Sequence, residues 1–562
     1  MTDQKISPEN EVVSESHKRR VFWGLLIGTI LLLVLFFVVP NFVDTPLRIS
    51  EETTILTEPR TPDGKRIDYL AYLEDRFGPK NAAENGFREI ATATGRVPME
   101  NIGQDYWDEM CRKLDIDSLT PPTMPFILGA NRPLFEAAHR ESGSKEPFEK
   151  SPGEIAALPP ELRNSHYAWS HSYSSGDMIR QWLEKYMAEP WSNEDFPELG
   201  ECVDTLSPFL DLLGQSVRKD VYYIPVARAR SSSAYDILLP CAQSQRQFGR
   251  YLVIRANRSL HAGDLDAAWY DLLSALRLGR HLKNDIFIVT QSVGNAIEWM
   301  VFPVMQEMLS RDDVTPEQLW QWRDDLKELP QAMSLEDTLL CQHLSTLDYL
   351  SCLSSGEGSR KHFTERYLPK GTENTLGIDW MLCARLVNRY FEKFREINDK
   401  DLTPAEKAAE FDAWLTLFLG EPPDEYWILL SKGHRSRSLV GDLVPSLAFF
   451  YTILPTGKVK TQLLIFACEL EIEKRQNGRY PTTLDFLNDR YTPEQLADPF
   501  GKGVFVYKPN ESGDGYLLYS VGQNGVDDGG KHDMQSSVYV APSGPLQDDI
   551  TIEMRYEAGE KE

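Results

Sequence analysis

The residues best suited to chemistry lie in a short loop near the end of the chain, QNGVDDGG at 523–530. Its glycines allow a tight backbone path, and Asp527 and Asp528 carry the hard carboxylate oxygens that calcium prefers. Two interpretations of the loop stay open, and the first is a calcium site. The alternative interpretation is an Asp/Gly turn that closes a hairpin without binding a metal.

Other reactive side chains lack suitable partners in the sequence. His281 and His343 lie on predicted helices, and no second ligand sits at helical spacing from either. We therefore interpret both as surface or core histidines. His166, His171 and the polar run 172–177 look superficially catalytic. Because a helix N-terminus needs polar capping groups, we assign this run to capping and expect no catalytic residue.

A predicted helix and three predicted strands position the loop. Apolar residues at helical spacing predict a helix over 458–476. Alternating side chains predict a β-hairpin with strands near 504–507 and 516–519, and residues 549–554 supply a third strand. The expected result is a helix packed on a small three-stranded antiparallel sheet.

Four motifs occur in order along this region: RYPTTL at 479–484, DPFG at 498–501, YSVGQNG at 519–525 and DDI at 548–550. In this order and at these intervals, they resemble the globular domain of the major, G-type pseudopilin of type II secretion. The resemblance covers roughly residues 456–554, and it implies a pseudopilin-like α+β domain.

In the pseudopilin family this loop and the start of the last strand bind calcium, so the resemblance implies Asn524, Asp528 and Asp549 as metal ligands. Asn524 departs from the family, because it offers a neutral amide oxygen where a charge is usual. The segment 531–547 is also long. A pseudopilin joins its hydrophobic helix directly to this domain behind a processing site, whereas here the helix lies far upstream and that site is missing.

The hydrophobic run VFWGLLIGTILLLVLFFVV fills residues 21–39 without a charge. As a helix it spans about 28 Å, which matches the bilayer core. Basic residues precede it, so the positive-inside rule places residues 1–20 in the cytoplasm and the chain after about residue 40 outside. A cleaved signal peptide is the rival interpretation, but the run is long and no A-x-A-like site follows it.

Residues 41–160 form a proline-rich subregion with short helices, and residues 161–450 form one irregular α-helical domain by their periodicity. An αα-hairpin is predicted over 251–278, with its turn at 262–264 and Asp264 as the cap of its second helix. This hairpin resembles one tetratricopeptide unit, without a clear second copy.

The predicted fold class is therefore mainly α. It comprises an N-terminal transmembrane helix, a large irregular α-helical domain and a small C-terminal α+β domain at 456–562. Further helices are predicted to begin at Thr315 and Thr403, where threonine caps the helix and proline occupies its first turn.

The amino-acid composition argues against several classes of protein. Lys and Arg number 59 against 85 Asp and Glu, a net charge of -26, which argues against nucleic acid as a partner. The seven cysteines include no C-x-x-C pair, which disfavours zinc ribbons and thioredoxin-type redox sites. Hydrophobic residues make up 41% of the chain, enough to build substantial cores.

These features predict a single-pass envelope protein with a non-catalytic binding, scaffold or assembly role. The middle region of the chain also looks similar to large membrane-anchored bacterial envelope proteins that end in this same module. The expected partners are the membrane and envelope proteins, with a secretion or pilus-type machine as the candidate. The alternatives are an enzyme with an unrecognised site in the helical domain and a genuine pseudopilus subunit.

Overall fold

The computed structural model describes residues 8–33, 39–95, 104–119, 131–141, 173–227, 234–356, 377–420, 431–444, 447–531 and 548–555. Over these residues the chain is mainly α-helical, with one small three-stranded antiparallel sheet near the C-terminus. This confirms the predicted combination of helices and a small sheet.

Eight helices are described in the first part of the chain: α1 (Pro8–Leu33), α2 (Glu51–Thr54), α3 (Tyr69–Phe77), α4 (Phe87–Thr94), α5 (Gln104–Leu114), α6 (Arg132–Glu141), α7 (Tyr173–Ala188) and α8 (Pro197–Ser216). Ten more follow in the described remainder: α9 (Ala234–His261), α10 (Leu265–Leu282), α11 (Ile288–Ser310), α12 (Pro316–Lys327), α13 (Leu335–Ser355), α14 (Trp380–Asn398), α15 (Pro404–Leu419), α16 (Lys432–Leu443), α17 (Ala448–Asn477) and α18 (Pro493–Leu496). The strands are β1 (Val506–Pro509), β2 (Tyr516–Ser520) and β3 (Ile550–Met554).

The chain divides into two compact units, each built from separate stretches of sequence. Unit 1 comprises Met1–Ile67, Thr346–Glu392 and Trp414–Pro445. Unit 2 comprises Asp68–Ser345, Lys393–Ala413 and Ser446–Glu562. The C-terminal sheet thus belongs to the same compact unit as the helices of Asp68–Ser345.

Helix α1 contains the predicted apolar run as far as Leu33, and residues 34–38 lie outside the described residues. Large apolar side chains on α1 are exposed, including Phe22 at 61%, Leu25 at 68% and Leu31 at 62%. Among the described residues, no helix combines enough length and apolarity to cross a membrane.

The predicted αα-hairpin is confirmed as α9 and α10. The carboxylate of Asp264 accepts a hydrogen bond from the backbone N–H of Ala267 at 3.0 Å, so Asp264 caps α10 as expected. Gly263 precedes it with a φ of 77°, which a residue with a side chain rarely adopts. Thr315 caps α12, and its hydroxyl accepts from the N–H of Gln318 at 3.2 Å.

Helix α10 belongs to unit 2, and most of its residues are buried. It packs closely on α11, because a Cβ at Gly279 would lie only 2.9 Å from the carbonyl oxygen of Gly294. The ring of Trp269 on α10 stacks on Trp322 of α12 with centroids 4.7 Å apart. These contacts join three helices into one apolar core.

Helix α17 begins ten residues before the predicted start at 458 and contains Pro455. Its first turns are held by Tyr451, whose ring stacks on Phe394 at 4.1 Å and whose hydroxyl donates to the Phe394 carbonyl at 2.9 Å. This packing outweighs the cost of an internal proline, which is why the helix extends past it. The predicted end is confirmed, since Gly478 terminates α17 with a φ of 79°.

The sheet has the order β1-β2-β3 and is antiparallel throughout. Tyr516 pairs with Pro509 on one side and with Met554 on the other. Helix α17 packs on this sheet, with the Phe466 ring 5.7 Å from the Phe505 ring. The predicted packing of a helix on three antiparallel strands is therefore confirmed.

Candidate metal centre

The register of β2 and β3 sets the position of the candidate site. Ser520 pairs with Ile550, so the loop that follows β2 and the two residues that precede β3 lie at the same end of the sheet. Asp498 fixes the end of β2, because its carboxylate accepts from the Ser520 hydroxyl at 2.7 Å and from the Val521 N–H at 2.8 Å. The DPFG motif thus supports the loop that contains the predicted ligands.

Gly522 brings the loop against the start of β3. Its φ is 67°, and a Cβ at this position would collide with the carbonyl group of Asp548. Only glycine fits here, because the backbone is left-handed and the neighbouring carbonyl leaves no space for a side chain.

The structure places the three sequence-predicted residues at this end of the sheet. The Asn524 amide nitrogen donates to Asp528 Oδ2 at 3.0 Å, and the Asn524 Oδ1 atom accepts from the Val526 N–H at 2.6 Å. Asp549 Oδ2 accepts from the Gly530 N–H at 2.7 Å. Asn524 and Asp528 are therefore in direct contact, and Asp549 is tied to the same loop.

A fourth residue, Asp548, joins the group, although we did not single it out from the sequence. Its Oδ2 atom accepts from the Asn524 N–H at 3.0 Å. The signal that could have identified it is its place beside Asp549, directly before a strand that pairs with the end of β2.

Two carboxylate oxygens of this group stand out. Asp548 Oδ1 and Asp549 Oδ1 are buried, and neither has a hydrogen-bond partner among the described residues. The side chain of Asp549 is completely buried. A buried polar atom without a partner costs about 1 to 3 kcal/mol, and more if it is charged. Such a cost is removed if a cation binds the two oxygens.

The electrostatics of the group agree with this geometry. Burial raises the pKa of Asp548 to about 6, with further contributions from the negative charges of Asp528 and Asp549. Burial also raises the pKa of Asp549 to about 6, helped by Asp528 and Asp527. Asp527 differs, because the Tyr519 hydroxyl donates to it at 2.8 Å and lowers its pKa. The local field therefore favours a proton or a cation at Asp548 and Asp549.

The four side chains offer the kinds of oxygen atom that calcium binds, but their present positions do not surround an ion. Three carboxylates and one amide oxygen are the hard ligands that calcium prefers. However, no group of three or more His, Cys, Asp or Glu side chains within the described ranges is arranged to hold a metal ion. The Asn524 oxygen already accepts from Val526, so it must turn to reach a cation.

The structure describes two of the four histidines considered in the sequence analysis. His281 is a core histidine, as one interpretation predicted: it is buried, and its Nε2 atom lies 2.9 Å from the Val217 carbonyl oxygen. His343 is also buried. His166 and His171 lie outside the described residues, as do the side chains of the polar run 172–177.

Comparison of the chain with protein-family models, curated proteins and solved structures found no match.

Proposed function

We propose that this chain is a membrane-anchored, non-catalytic binding or scaffold protein whose C-terminal sheet binds calcium. The observation that carries the proposal is the pair of buried carboxylate oxygens of Asp548 and Asp549, which lack hydrogen-bond partners within the described part of the chain. A structure that buries two adjacent carboxylates is stabilised when a divalent cation neutralises them.

Asn524, Asp528, Asp548 and Asp549 are the residues that hold the ion in this proposal. Bound calcium supplies positive charge at the end of the sheet and links the loop after β2 to the start of β3. The protein's own contribution is to bring these groups together through the β2–β3 register and the turn at Gly522. The role is structural, since it makes one end of the sheet rigid for a partner.

The membrane anchor in this proposal is α1 and the apolar residues that follow it. Exposed Phe22, Leu25 and Leu31 on the described helix support this assignment, because apolar side chains on several helix faces fit hydrocarbon better than water. The remainder of the chain then lies on the extracytoplasmic side. Extraction of native membranes with alkaline carbonate tests the anchor, and release of the full chain into the supernatant contradicts it.

The partner in this proposal is an envelope protein, and the pseudopilin resemblance makes a secretion or pilus-type machine the first candidate. The order of the RYPTTL, DPFG, YSVGQNG and DDI motifs supports that choice.

Calcium is titrated into the full chain in detergent, and the heat of binding, measured by isothermal calorimetry, tests the metal site. We expect saturable binding with one ion per chain and its loss in Asp549→Ala. The matched control is Asp489→Ala, which removes an exposed carboxylate from the same region and should leave binding unchanged. Absence of binding by the wild-type chain at millimolar calcium overturns the proposal.

A further inference from the structure

Helix α17 carries a buried amine. Lys460 is only 6% exposed, and no described residue accepts a hydrogen bond from its Nζ atom. The amine instead faces two aromatic rings, with Nζ 3.3 Å from the ring centroid of Trp299 and 5.0 Å from that of Phe302. Rings beneath a buried cation return about 2 kcal/mol, less than the cost of burying an ammonium group without an acceptor. The uncharged amine is therefore favoured at this position.

A buried cluster beside Lys460 contains more cations than carboxylates. Arg280 Nε lies 2.9 Å from Glu298 Oε1, and Lys283 Nζ lies 3.0 Å from Glu298 Oε2. The side chains of all three residues are at most 9% exposed. Two cations and one carboxylate leave one net positive charge before Lys460 is counted. Despite its closeness to Glu298, Arg280 Nε makes no hydrogen bond to any described residue, so it remains available as a donor.

Helix α17 presents Lys460 on the face that packs against this cluster. The Arg280 guanidinium donates to the Gly457 carbonyl at 3.1 Å and to Thr461 Oγ1 at 2.6 Å. Residues three and four apart share a helix face, so Gly457, Lys460 and Thr461 lie on the same side of α17. A Cβ at Gly457 would collide with the Glu298 carboxylate. The cluster thus lies directly against the turn of α17 that contains Lys460.

The charges of the cluster act on Lys460. Burial lowers the pKa of Lys460 to about 7, while Glu298 acts to raise this pKa and Lys283 lowers it further. The charges that shift the pKa values of Glu298 and Lys283 likewise come from Arg280, Lys460 and each other. The uncharged amine is therefore well populated at neutral pH, and it is the nucleophilic form of lysine.

We propose that Lys460 is a site of reversible carbamate formation, in which its amine binds carbon dioxide. The amine nitrogen forms a bond to the carbon of carbon dioxide, and the electron pair of one C=O bond moves to oxygen. A proton then leaves the nitrogen for solvent, which gives a carbamate with one negative charge. Carbon dioxide is small and uncharged, so it can pass the partly exposed Trp299 without carrying a charge into the core.

The carbamate corrects the imbalance of charge in the cluster. With Lys460 as a carbamate, the charges of Arg280, Lys283, Glu298 and the carbamate sum to zero. The ammonium of Lys283 and the unused N–H of Arg280 are the groups that stabilise the new anion. The site uses none of the residues of the proposed calcium site and does not depend on the membrane anchor.

Chemical trapping of the folded full chain in detergent tests this proposal. The chain is kept at about pH 8, above the lowered pKa of Lys460, with isotopically labelled bicarbonate as the source of carbon dioxide. Triethyloxonium then converts any carbamate into a stable ethyl ester, which mass spectrometry assigns to a residue. We expect a labelled adduct on Lys460 and none on Lys458, the internal control, which is exposed on the same helix.

The thermal unfolding midpoint provides a second measurement. It is compared in bicarbonate and in sodium chloride of equal ionic strength, at one pH and with chelator present so that calcium does not contribute. Because the carbamate forms only in the folded state, we expect a rise of about 1 °C for the wild-type chain. Lys460→Met should show no rise, and its midpoint in chloride shows whether this variant folds.

Absence of a labelled adduct on Lys460 in the folded wild-type chain overturns the proposal, and this result leaves the calcium site and the anchor unaffected. Equal labelling of Lys460 and Lys458 also overturns it, because the reaction is then not specific to the buried amine. A rise in midpoint that inorganic phosphate reproduces without any trapped adduct assigns the cluster to non-covalent anion binding and likewise overturns the proposal.

Discussion

The side-chain amide of Asn524 donates to the carboxylate of Asp528 across 3.0 Å. Two residues that the pseudopilin resemblance assigns to one metal site are thus in contact, and the amide already satisfies one oxygen of Asp528. A bound cation would therefore stabilise chiefly Asp548 and Asp549, whose buried Oδ1 atoms have no hydrogen-bond partner in the described ranges. These two adjacent carboxylates are therefore the centre of the proposed site.

Replacement of Gly522 by alanine should destabilise the protein by about 1 to 3 kcal/mol, because the left-handed backbone and the nearby Asp548 carbonyl both oppose a side chain. Urea denaturation measures the loss. Gly503→Ala is the matched control in the same region, since a Cβ there meets no atom within 4 Å. Equal stability of the two variants would contradict the tight approach of the loop to β3.

Glu298→Gln should cost about 3 to 5 kcal/mol of stability, the usual effect of breaking a buried ion pair. Glu298 lies 2.9 Å from the Arg280 guanidinium and 3.0 Å from Lys283 Nζ, and all three side chains are buried. Burial acts to raise the pKa of Glu298, but Lys283 and Arg280 outweigh it and hold that pKa below its ordinary value.

The control for Glu298→Gln is Asp204→Asn. Asp204 forms an ion pair with Arg258 at 2.7 Å, but its side chain is 63% exposed. An exposed pair of this kind contributes less than about 1 kcal/mol. Both variants are compared by chemical denaturation, and a Glu298→Gln chain as stable as Asp204→Asn would show that the buried cluster is dispensable.

Lys460→Met should flatten the dependence of stability on pH above neutrality. Burial lowers the pKa of Lys460 to about 7. The negative charge of Glu298 acts to raise this pKa, and the positive charge of Lys283 lowers it further. An unfolded lysine titrates near pH 10, so between pH 7 and 10 the unfolded chain binds more protons than the folded chain. Wild-type stability therefore gains on the order of 2 kcal/mol from this group between pH 7 and 9, and the variant loses that gain.

Denaturation midpoints at pH 7 and pH 9 measure this effect. Lys458→Met is the control, because Lys458 is exposed on the same helix. Methionine keeps the apolar contact with Trp299, over whose ring the Lys460 nitrogen lies at 3.3 Å. If the stability of Lys460→Met changes between pH 7 and pH 9 as much as that of the wild-type chain, the buried amine does not titrate in this range.

The sequence correctly predicted those helix ends and strands that are determined by residues close together in the chain. Asp264 caps α10 because a carboxylate before an apolar helical pattern satisfies free backbone N–H groups. Gly478 ends α17 because it adopts the left-handed conformation. The alternating residues around Val506 and Leu518 form paired strands, with Tyr507 opposite Leu518.

Elements that depend on distant contacts could not be predicted in the same way. The early start of α17 requires Phe394 to stack on Tyr451, and these residues are far apart in sequence. The shared core of unit 2 likewise joins Phe466 and Phe505 with α10 and α12, a relation that periodicity alone does not contain. The predicted domain 456–562 remains a prediction, since compactness groups it with Asp68–Ser345.

The candidate site was predicted in part. The glycines and acidic residues of 523–530 indicated a calcium loop, and the resemblance added Asp549. Asp548 was missed, because its contact with the Asn524 backbone depends on the β2–β3 register. The hydrogen bond between Asn524 and Asp528 was also unforeseen, since an amide can donate to a carboxylate as well as bind a metal.

The thermal unfolding midpoint of the full chain in detergent, measured with calcium and with chelator, shows whether Asp548 and Asp549 bind calcium. A metal that binds only the folded state must raise the midpoint. We expect a clear rise for the wild-type chain, no rise for Asp549→Asn, and a wild-type response for Asp489→Asn. In chelator, Asp549→Asn should match or exceed the wild-type midpoint, because it removes a buried charge. A wild-type midpoint that is the same with millimolar calcium and with chelator would contradict calcium binding at these residues.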